Sequence, residues 1–123
     1  MRALTITVRA ASTGPVVQVA GDLDYDTAPH LREAVENLAL EAGALLVLDL
    51  ARLEFCDSSG ITAFIVARNQ AIAAQTEIAL AAVPAHTARV LRTVGLDQIF
   101  TLYPDAESAA MPSAVEPPTT NDR

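Results

Sequence analysis

The amino-terminal part of the chain alternates short apolar runs with turn signals. Residues 4–9, LTITVR, place apolar side chains at every second position, which predicts a strand with one face in solvent. The following ASTGP is typical of a turn, and the valines within residues 16–19 predict a second strand antiparallel to the first. Residues 44–50, ALLVLDL, form an almost continuous apolar run, which indicates a strand buried on both faces of a parallel sheet.

Helical periodicity separates the hairpin from this buried strand. A helix should begin near Asp26 or Thr27, both good N-cap residues, with Pro29 in its first turn. Its apolar stripe continues to Ala42, and Gly43 is placed to end it. The hairpin and the buried strand are therefore joined by a helix.

A second helical pattern follows the buried strand and covers about residues 58–75. The positions expected to face the core are Ile61, Phe64, Ile65 and Ile72. A further strand, EIALAAV, covers residues 77–83. The order of strand, helix and strand predicts a parallel crossover unit.

A third helix starts at Pro84, directs Leu91 and Val94 inward, and stops at Gly95. Residues 99–103, IFTLY, predict a last short strand.

The order β-β-α-β-α-β-α, with a final short strand, predicts an α/β fold. We expect a mixed sheet of four to five strands with three to four helices, in which an amino-terminal hairpin is followed by βαβα units. Residues 1–110 are then one domain. Residues 111–123 carry three prolines and little apolar content, and they are predicted to be a disordered tail.

Composition narrows the range of partners. The net charge of -7 repels phosphate backbones and anionic lipid, so we expect no direct nucleic acid or membrane partner. The single cysteine, Cys56, cannot form an internal disulfide, which suits a reducing compartment. No signal peptide and no bilayer-spanning segment is evident, so the protein is expected in the cytoplasm. Neither His30 nor His86 has a ligand at metal-binding spacing, and no metal or cofactor is predicted.

The candidate functional residues lie in the segment that joins the buried strand to the second helix. Asp57-Ser58-Ser59-Gly60 opens that helix at the carboxyl end of a central strand, the edge where ligands gather in open α/β sheets. The amino end of a helix accepts an anion such as a phosphoryl group, and a glycine allows a partner to approach closely. Simple N-capping explains the same residue types, although a cap requires only one of them.

The second helix has an outer face without charge. Arg68 is the only charged residue between Ser58 and Gln75. A surface helix normally carries charges on its outer face, so this face is either a docking surface or more buried than usual. The uncharged positions off the core stripe include Thr62, Val66 and Asn69.

LDLARLEFCDSSGITAF, residues 48–64, resembles the signature of the STAS family in its anti-sigma factor antagonist branch. GDLDYDTAPHLREAV resembles the acidic loop and first helix of that family, and VLRTVGLDQIFTLYPDAESAA resembles its closing helix and last segment. The resemblance covers roughly residues 3–110. It departs from the family at Cys56, where a larger hydrophobe is usual, and at Asp22, which is often Glu.

The resemblance implies a function. Proteins of this branch bind an anti-sigma factor that is also a serine kinase, and they thereby free a sigma factor for transcription. The kinase phosphorylates the first serine of the motif, here Ser58, and the phosphorylated form releases the kinase until a serine phosphatase restores binding. The chain would be a kinase substrate and not an enzyme. The residues at family motif positions around the phosphorylation site are Asp57, Ser59, Gly60, Asp22 and Asp24.

Other functions remain open. A STAS-type nucleotide-binding module is one, although the sequence has no Gly-rich phosphate loop. A scaffold subunit of a stress-sensing complex is another. A serine hydrolase would need a base and an oxyanion hole beside Ser58, and the G-x-S-x-G elbow is absent. The acids Asp22, Asp24 and Asp26 do not complete a calcium-loop pattern and fit a polar loop before a helix.

Overall fold

Residues 3–110 of the chain are described by a computed structural model, and the predicted tail, residues 111–123, lies outside them. The strands are β1 (Thr5–Ala11), β2 (Gly14–Leu23), β3 (Leu45–Asp49), β4 (Leu53–Cys56), β5 (Glu77–Ala81) and β6 (Thr101–Tyr103). The helices are α1 (Ala28–Glu36), α2 (Ser58–Ala73), α3 (Ala85–Thr93) and α4 (Ala106–Ala110), with a 3₁₀ turn at Leu96–Gln98.

The sheet is mixed, with strand order β1-β2-β3-β5-β6. β1 and β2 form an antiparallel hairpin, and every other pair of neighbours is parallel. Crossover helices between parallel strands are what the sequence pattern indicates. The predicted α/β fold, with its amino-terminal hairpin and βαβα units, is confirmed.

β2 is long enough to pair with two strands in succession. Its first half lies beside β3, with Val16 opposite Val47. Its last residues turn to β4, where Leu23 lies opposite Cys56 and the register shifts between Gly21 and Asp22. The sequence pattern does not predict β4, because four residues are too few to show a strand pattern.

The core lies between one face of the sheet and helices α1, α2 and α3. β3 is buried on both faces, as its apolar run predicts: Leu46 and Leu48 face the three helices, and Val47 faces α4. On that opposite face, Ala106 and Ala109 of α4 pack against the sheet. α4 was not predicted, because its five residues, AESAA, include no large apolar side chain and are too few for a periodic signal.

The first helix is shorter than the prediction. α1 ends at Glu36 instead of reaching Gly43. The chain leaves the helix at Asn37, and Leu38 and Leu40 both pack against the core from the loop that follows. A continued helix would turn successive side chains through about 100°, so it could not direct both leucines inward.

Two residues expected in the core lie at the surface. Ile72 is 53% exposed and Val94 is 57% exposed. The core face of α2 consists mainly of small residues, which allow the helix to lie close to the sheet, and the large isoleucines flank that face. The buried residues of α2 are Gly60, Ala63, Phe64, Ala67 and Ala71. Val94 follows the last turn of α3 as its C-cap.

This arrangement predicts different costs for two truncations on the same helix. Phe64 is fully buried, so Phe64→Ala should lower the free energy of unfolding by about 3–5 kcal/mol. Ile72→Ala is the matched control and should cost less than about 1 kcal/mol, because half of its side chain already contacts water. Urea titration followed by circular dichroism measures both. Equal losses would show that the register of α2 is wrong.

Candidate functional site

Asp57 joins the sheet to the start of α2. Its backbone N–H donates to the carbonyl of Leu23 at 3.2 Å, which ties it to the end of β2. Its carboxylate Oδ1 accepts the N–H groups of Ser59 at 2.8 Å and Gly60 at 3.2 Å. Asp57 therefore is the N-cap of α2, and neither Ser58 nor Ser59 is needed for capping.

The two serines differ in exposure. Ser58 is exposed, whereas Ser59 is half-buried. The carbonyl of Ser58 accepts a hydrogen bond from the hydroxyl of Thr62 at 3.0 Å, one turn further along the helix. The side chain of Ser58 is thus on the surface of a well-formed first turn, where an enzyme can reach it.

Two hollows flank the serines. We call the first the α3-side groove; its volume is about 460 Å³. Its walls include Ser58, Ile61, Ile65, Val90, Val94 and Leu96. We call the second the α1-side hollow; its volume is about 430 Å³. Its walls include Tyr25, Asp26, Pro29, Arg32, Ser59 and Thr62.

The hollows differ in charge. Asp57 is the one charged residue lining the α3-side groove, and its carboxylate is occupied by the helix cap. The α1-side hollow carries Asp26 and Arg32. Arg52 and Arg68 are the cations nearest to Ser58 along the sequence, whereas Arg32 lines the same hollow as Ser59. Only the packing of α1 beside α2 brings these distant residues together.

Asp22 and Asp24 lie close to the site in the fold but line neither hollow. Asp22 is opposite Phe55 in the pairing of β2 with β4. Asp24 shapes the turn into α1, since its Oδ1 accepts the N–H groups of Asp26 and Thr27, each at 3.0 Å. Residues 3–110 contain no cluster of His, Cys, Asp or Glu suited to a metal.

Thr27 is the N-cap residue of α1, yet its side chain makes no capping bond. Its hydroxyl instead donates to the carbonyl of Asp22 at 2.8 Å and accepts the N–H of Asp24 at 2.9 Å. The threonine therefore closes the acidic loop on itself, and it fixes the direction in which α1 leaves β2.

Gly60 has a packing role that the sequence did not reveal. It is buried, and a Cβ atom there would lie 2.5 Å from Cys56 Sγ and 2.9 Å from Leu23 Cδ2. The expectation that this glycine lets a partner approach is wrong, because its Cα faces the protein interior. Its absent side chain lets α2 lie against β2 and β4.

Cys56, which packs against Gly60, is half-buried. Burial, and to a lesser degree the charge of Asp57, raises the pKa of its thiol from 9.0 to about 12. The thiol donates a long hydrogen bond to the carbonyl of Asp57 at 3.6 Å. Cys56 is thereby a protonated packing group at neutral pH.

The histidines do not approach the serines. His30 and His86 are both exposed, and neither lines the α3-side groove or the α1-side hollow. The geometry of the described chain thus offers no histidine as a base for Ser58. This weakens the serine hydrolase alternative.

The outer face of α2 divides into two parts. Thr62 and Asn69 are exposed and Val66 is half-buried, so these predicted docking positions form an uncharged surface. The larger apolar side chains, Ile61 and Ile65, line the α3-side groove, and Thr62 lines it as well. The surface next to Ser58 is therefore most apolar towards α3.

The fold and the strand-to-helix site define a STAS-type domain, and comparison with known proteins agrees. The family described as "Mlab, STAS domain" matches residues 6–104. The chain belongs to the STAS family. Among residues 3–110, no helix is both long and apolar enough to cross a membrane.

Two relatives and one solved structure carry the name anti-sigma factor antagonist. The chain is 29% identical over 100 residues to the anti-sigma-F factor antagonist RsfB of Mycobacterium tuberculosis, covering 81% of each chain. It is 29% identical over 98 residues to the anti-sigma-B factor antagonist of Listeria monocytogenes, covering 79% of this chain and 86% of that relative. A crystal structure of an anti-sigma factor antagonist from Mycobacterium paratuberculosis superposes with a TM-score of 0.77 at 30% identity, covering 87% and 91% of the two chains. The predicted membership of the anti-sigma factor antagonist branch is confirmed.

Substitution of Gly60 tests the close packing of α2. Gly60→Ala should lower the free energy of unfolding by about 1–3 kcal/mol, although alanine favours helices, because the new methyl overlaps Cys56 and Leu23. Cys56→Ala/Gly60→Ala should recover part of that loss, since it removes the nearest atom. Urea titration measures each variant. A Gly60→Ala protein as stable as the wild type would contradict the contact.

The raised pKa of Cys56 predicts slow thiol chemistry. At about pH 8 the native protein should react with Ellman's reagent at least about tenfold more slowly than the urea-denatured chain, because little thiolate is present.

The fold favours the protonated thiol of Cys56. The stability that this preference contributes is therefore present at neutral pH and is lost as the pH rises through about 12. Cys56→Ser is the blank, and equal native and denatured rates would refute the burial of the thiol.

Proposed function

We propose that this chain antagonises an anti-sigma factor that is also a serine kinase, and that phosphorylation of Ser58 switches the contact off. The unphosphorylated form binds the kinase and frees a sigma factor for transcription. A serine phosphatase returns the modified chain to the binding form. The chain then acts in the cytoplasm as a kinase substrate and is not itself an enzyme.

The observation that carries the proposal is the exposed hydroxyl of Ser58 at the amino end of α2. Asp57 already caps the helix, so the capping explanation does not account for Ser58. The names of the similar proteins support an anti-sigma factor as the partner. Asp57, Ser59, Gly60, Asp22 and Asp24 are the proposed surroundings of the phosphorylation site.

Electrostatics favours a change in binding over a change in fold. A phosphoryl group adds about -1.5 to -2 charges, and the helix dipole stabilises it by only about 0.3–1 kcal/mol at an exposed end. Asp57 opposes the new charge, and no arginine lines the α3-side groove on which Ser58 lies. In an interface the dianion would have to lose its water without gaining a cation, which costs several kcal/mol.

Three serine variants test the switch. Ser58→Ala should keep the kinase bound in the presence of ATP and Mg²⁺, because no phosphoryl group can form. Ser58→Asp should bind at least about tenfold more weakly, since a fixed charge replaces the hydroxyl. Ser59→Ala is the matched control and should behave as the wild type. Tagged proteins are used to capture the partner from a lysate of the source organism, and mass spectrometry identifies the captured protein and the phosphorylated residue.

The outcome is decided by the identity of the captured protein and the modified residue. A partner with an ATPase-type kinase domain, retained by the wild type and not by Ser58→Asp, supports the proposal. Phosphorylation of Ser58→Ala to the wild-type extent would assign the acceptor to another residue. Capture of no such kinase by the wild type would remove the proposed function.

A further inference from the structure

The exposed apolar surface next to Ser58 lies on the α3 side of the site. Val94 is 57% exposed, although its position suggested a core residue. It shares the α3-side groove with Val90 and Leu96 on one side and with Ile61 and Ile65 of α2 on the other. A single exposed valine is ordinary, but five apolar side chains that line one groove form a surface suited to a partner.

The charge of the groove limits what it can hold. Its one charged lining residue, Asp57, has its carboxylate Oδ1 bound to two backbone N–H groups. No basic residue lines it, so an acidic segment would find no counter-charge there. The α1-side hollow, by contrast, offers Arg32 and Asp26 and suits a polar group. The α3-side groove suits an apolar side chain.

Ser58 belongs to the lining of this groove. A protein surface that contacts the Ser58 hydroxyl therefore also covers the adjoining part of the groove. The groove and the proposed contact around Ser58 are one continuous surface. Of the outer-face positions Thr62, Val66 and Asn69, Thr62 also lines this groove, whereas Val66 and Asn69 do not.

We propose that the anti-sigma factor inserts an apolar side chain into the α3-side groove, so that its contact runs from Ser58 towards Val94. This inference rests on the proposed function and names the surface that the partner uses. A phosphoryl group on Ser58 would then stand on the edge of an apolar contact. The kinase would be released because closing that contact would strip water from a dianion without supplying a cation.

Val94 provides the test. The kinase recovered with the wild-type chain is purified, and its affinity for each variant is measured by isothermal titration calorimetry. Val94→Ser should raise the Kd about tenfold, as expected for truncating a central apolar contact. Val8→Ser makes the same change at a 46% exposed valine on β1, and its Kd should stay within about twofold of the wild type. Both variants should melt within a few degrees of the wild type.

Two further variants separate this inference from the proposed function. Ser58→Asp should lose binding whether or not the groove is used. If Ser58→Asp weakens binding while Val94→Ser has the wild-type Kd, the groove inference is wrong and the proposed function stands. A tenfold loss in Asn69→Ala together with no loss in Val94→Ser would place the partner on the outer face of α2 and overturn the inference.

Two further outcomes test whether the groove binds the anti-sigma factor. Sedimentation velocity of the wild type alone detects self-association, and a dimer that Val94→Ser dissolves would assign the groove to a second copy of the chain. The same result would overturn the inference about the kinase. A wild-type chain that binds no anti-sigma factor overturns both proposals together.

Discussion

The pairing of β2 with β4 is the interaction on which the geometry of the site depends. It places Leu23 opposite Cys56. Asp57, the residue that follows β4, donates its N–H to the carbonyl of Leu23. The first turn of α2 is then capped by Asp57 and pressed against this pair of strands through Gly60. Ser58 is held at the surface because the residues before and after it are fixed by backbone hydrogen bonds and close packing.

That rigidity has a consequence for signalling. A hydroxyl in a flexible loop would offer a kinase many conformations, and its phosphorylation could order or melt the loop. The backbone of Ser58 already belongs to a capped helix of 16 residues, and one face of that helix is buried. A phosphoryl group there would change the charge and size of the surface more readily than the fold, so the proposed switch would act through the partner's contact.

The hairpin, the buried strand β3 and the existence of helices α1–α3 follow from the periodicity of the sequence. The same periodicity could not identify which side chains of α2 are buried, because Ala63, Ala67 and Ala71 carry weaker apolar signals than Ile72. The cap and the exposed serine were foreseeable from Asp57-Ser58 beside a strand. The packing role of Gly60 was not, since the atoms that require it belong to β2 and β4.

The exposure of Val94 and Ile72, which the sequence pattern placed in the core, also bears on function. Sequence reasoning assigns large apolar residues to the core by default, so any apolar residue kept at the surface for a partner is hidden by that assumption. Val94 is exposed because it follows the last turn of α3, and it lines the groove that contains Ser58. The apolar side of the site became visible only when α2 and α3 were placed side by side, and it is there that a charge gained by Ser58 would oppose a protein contact most strongly.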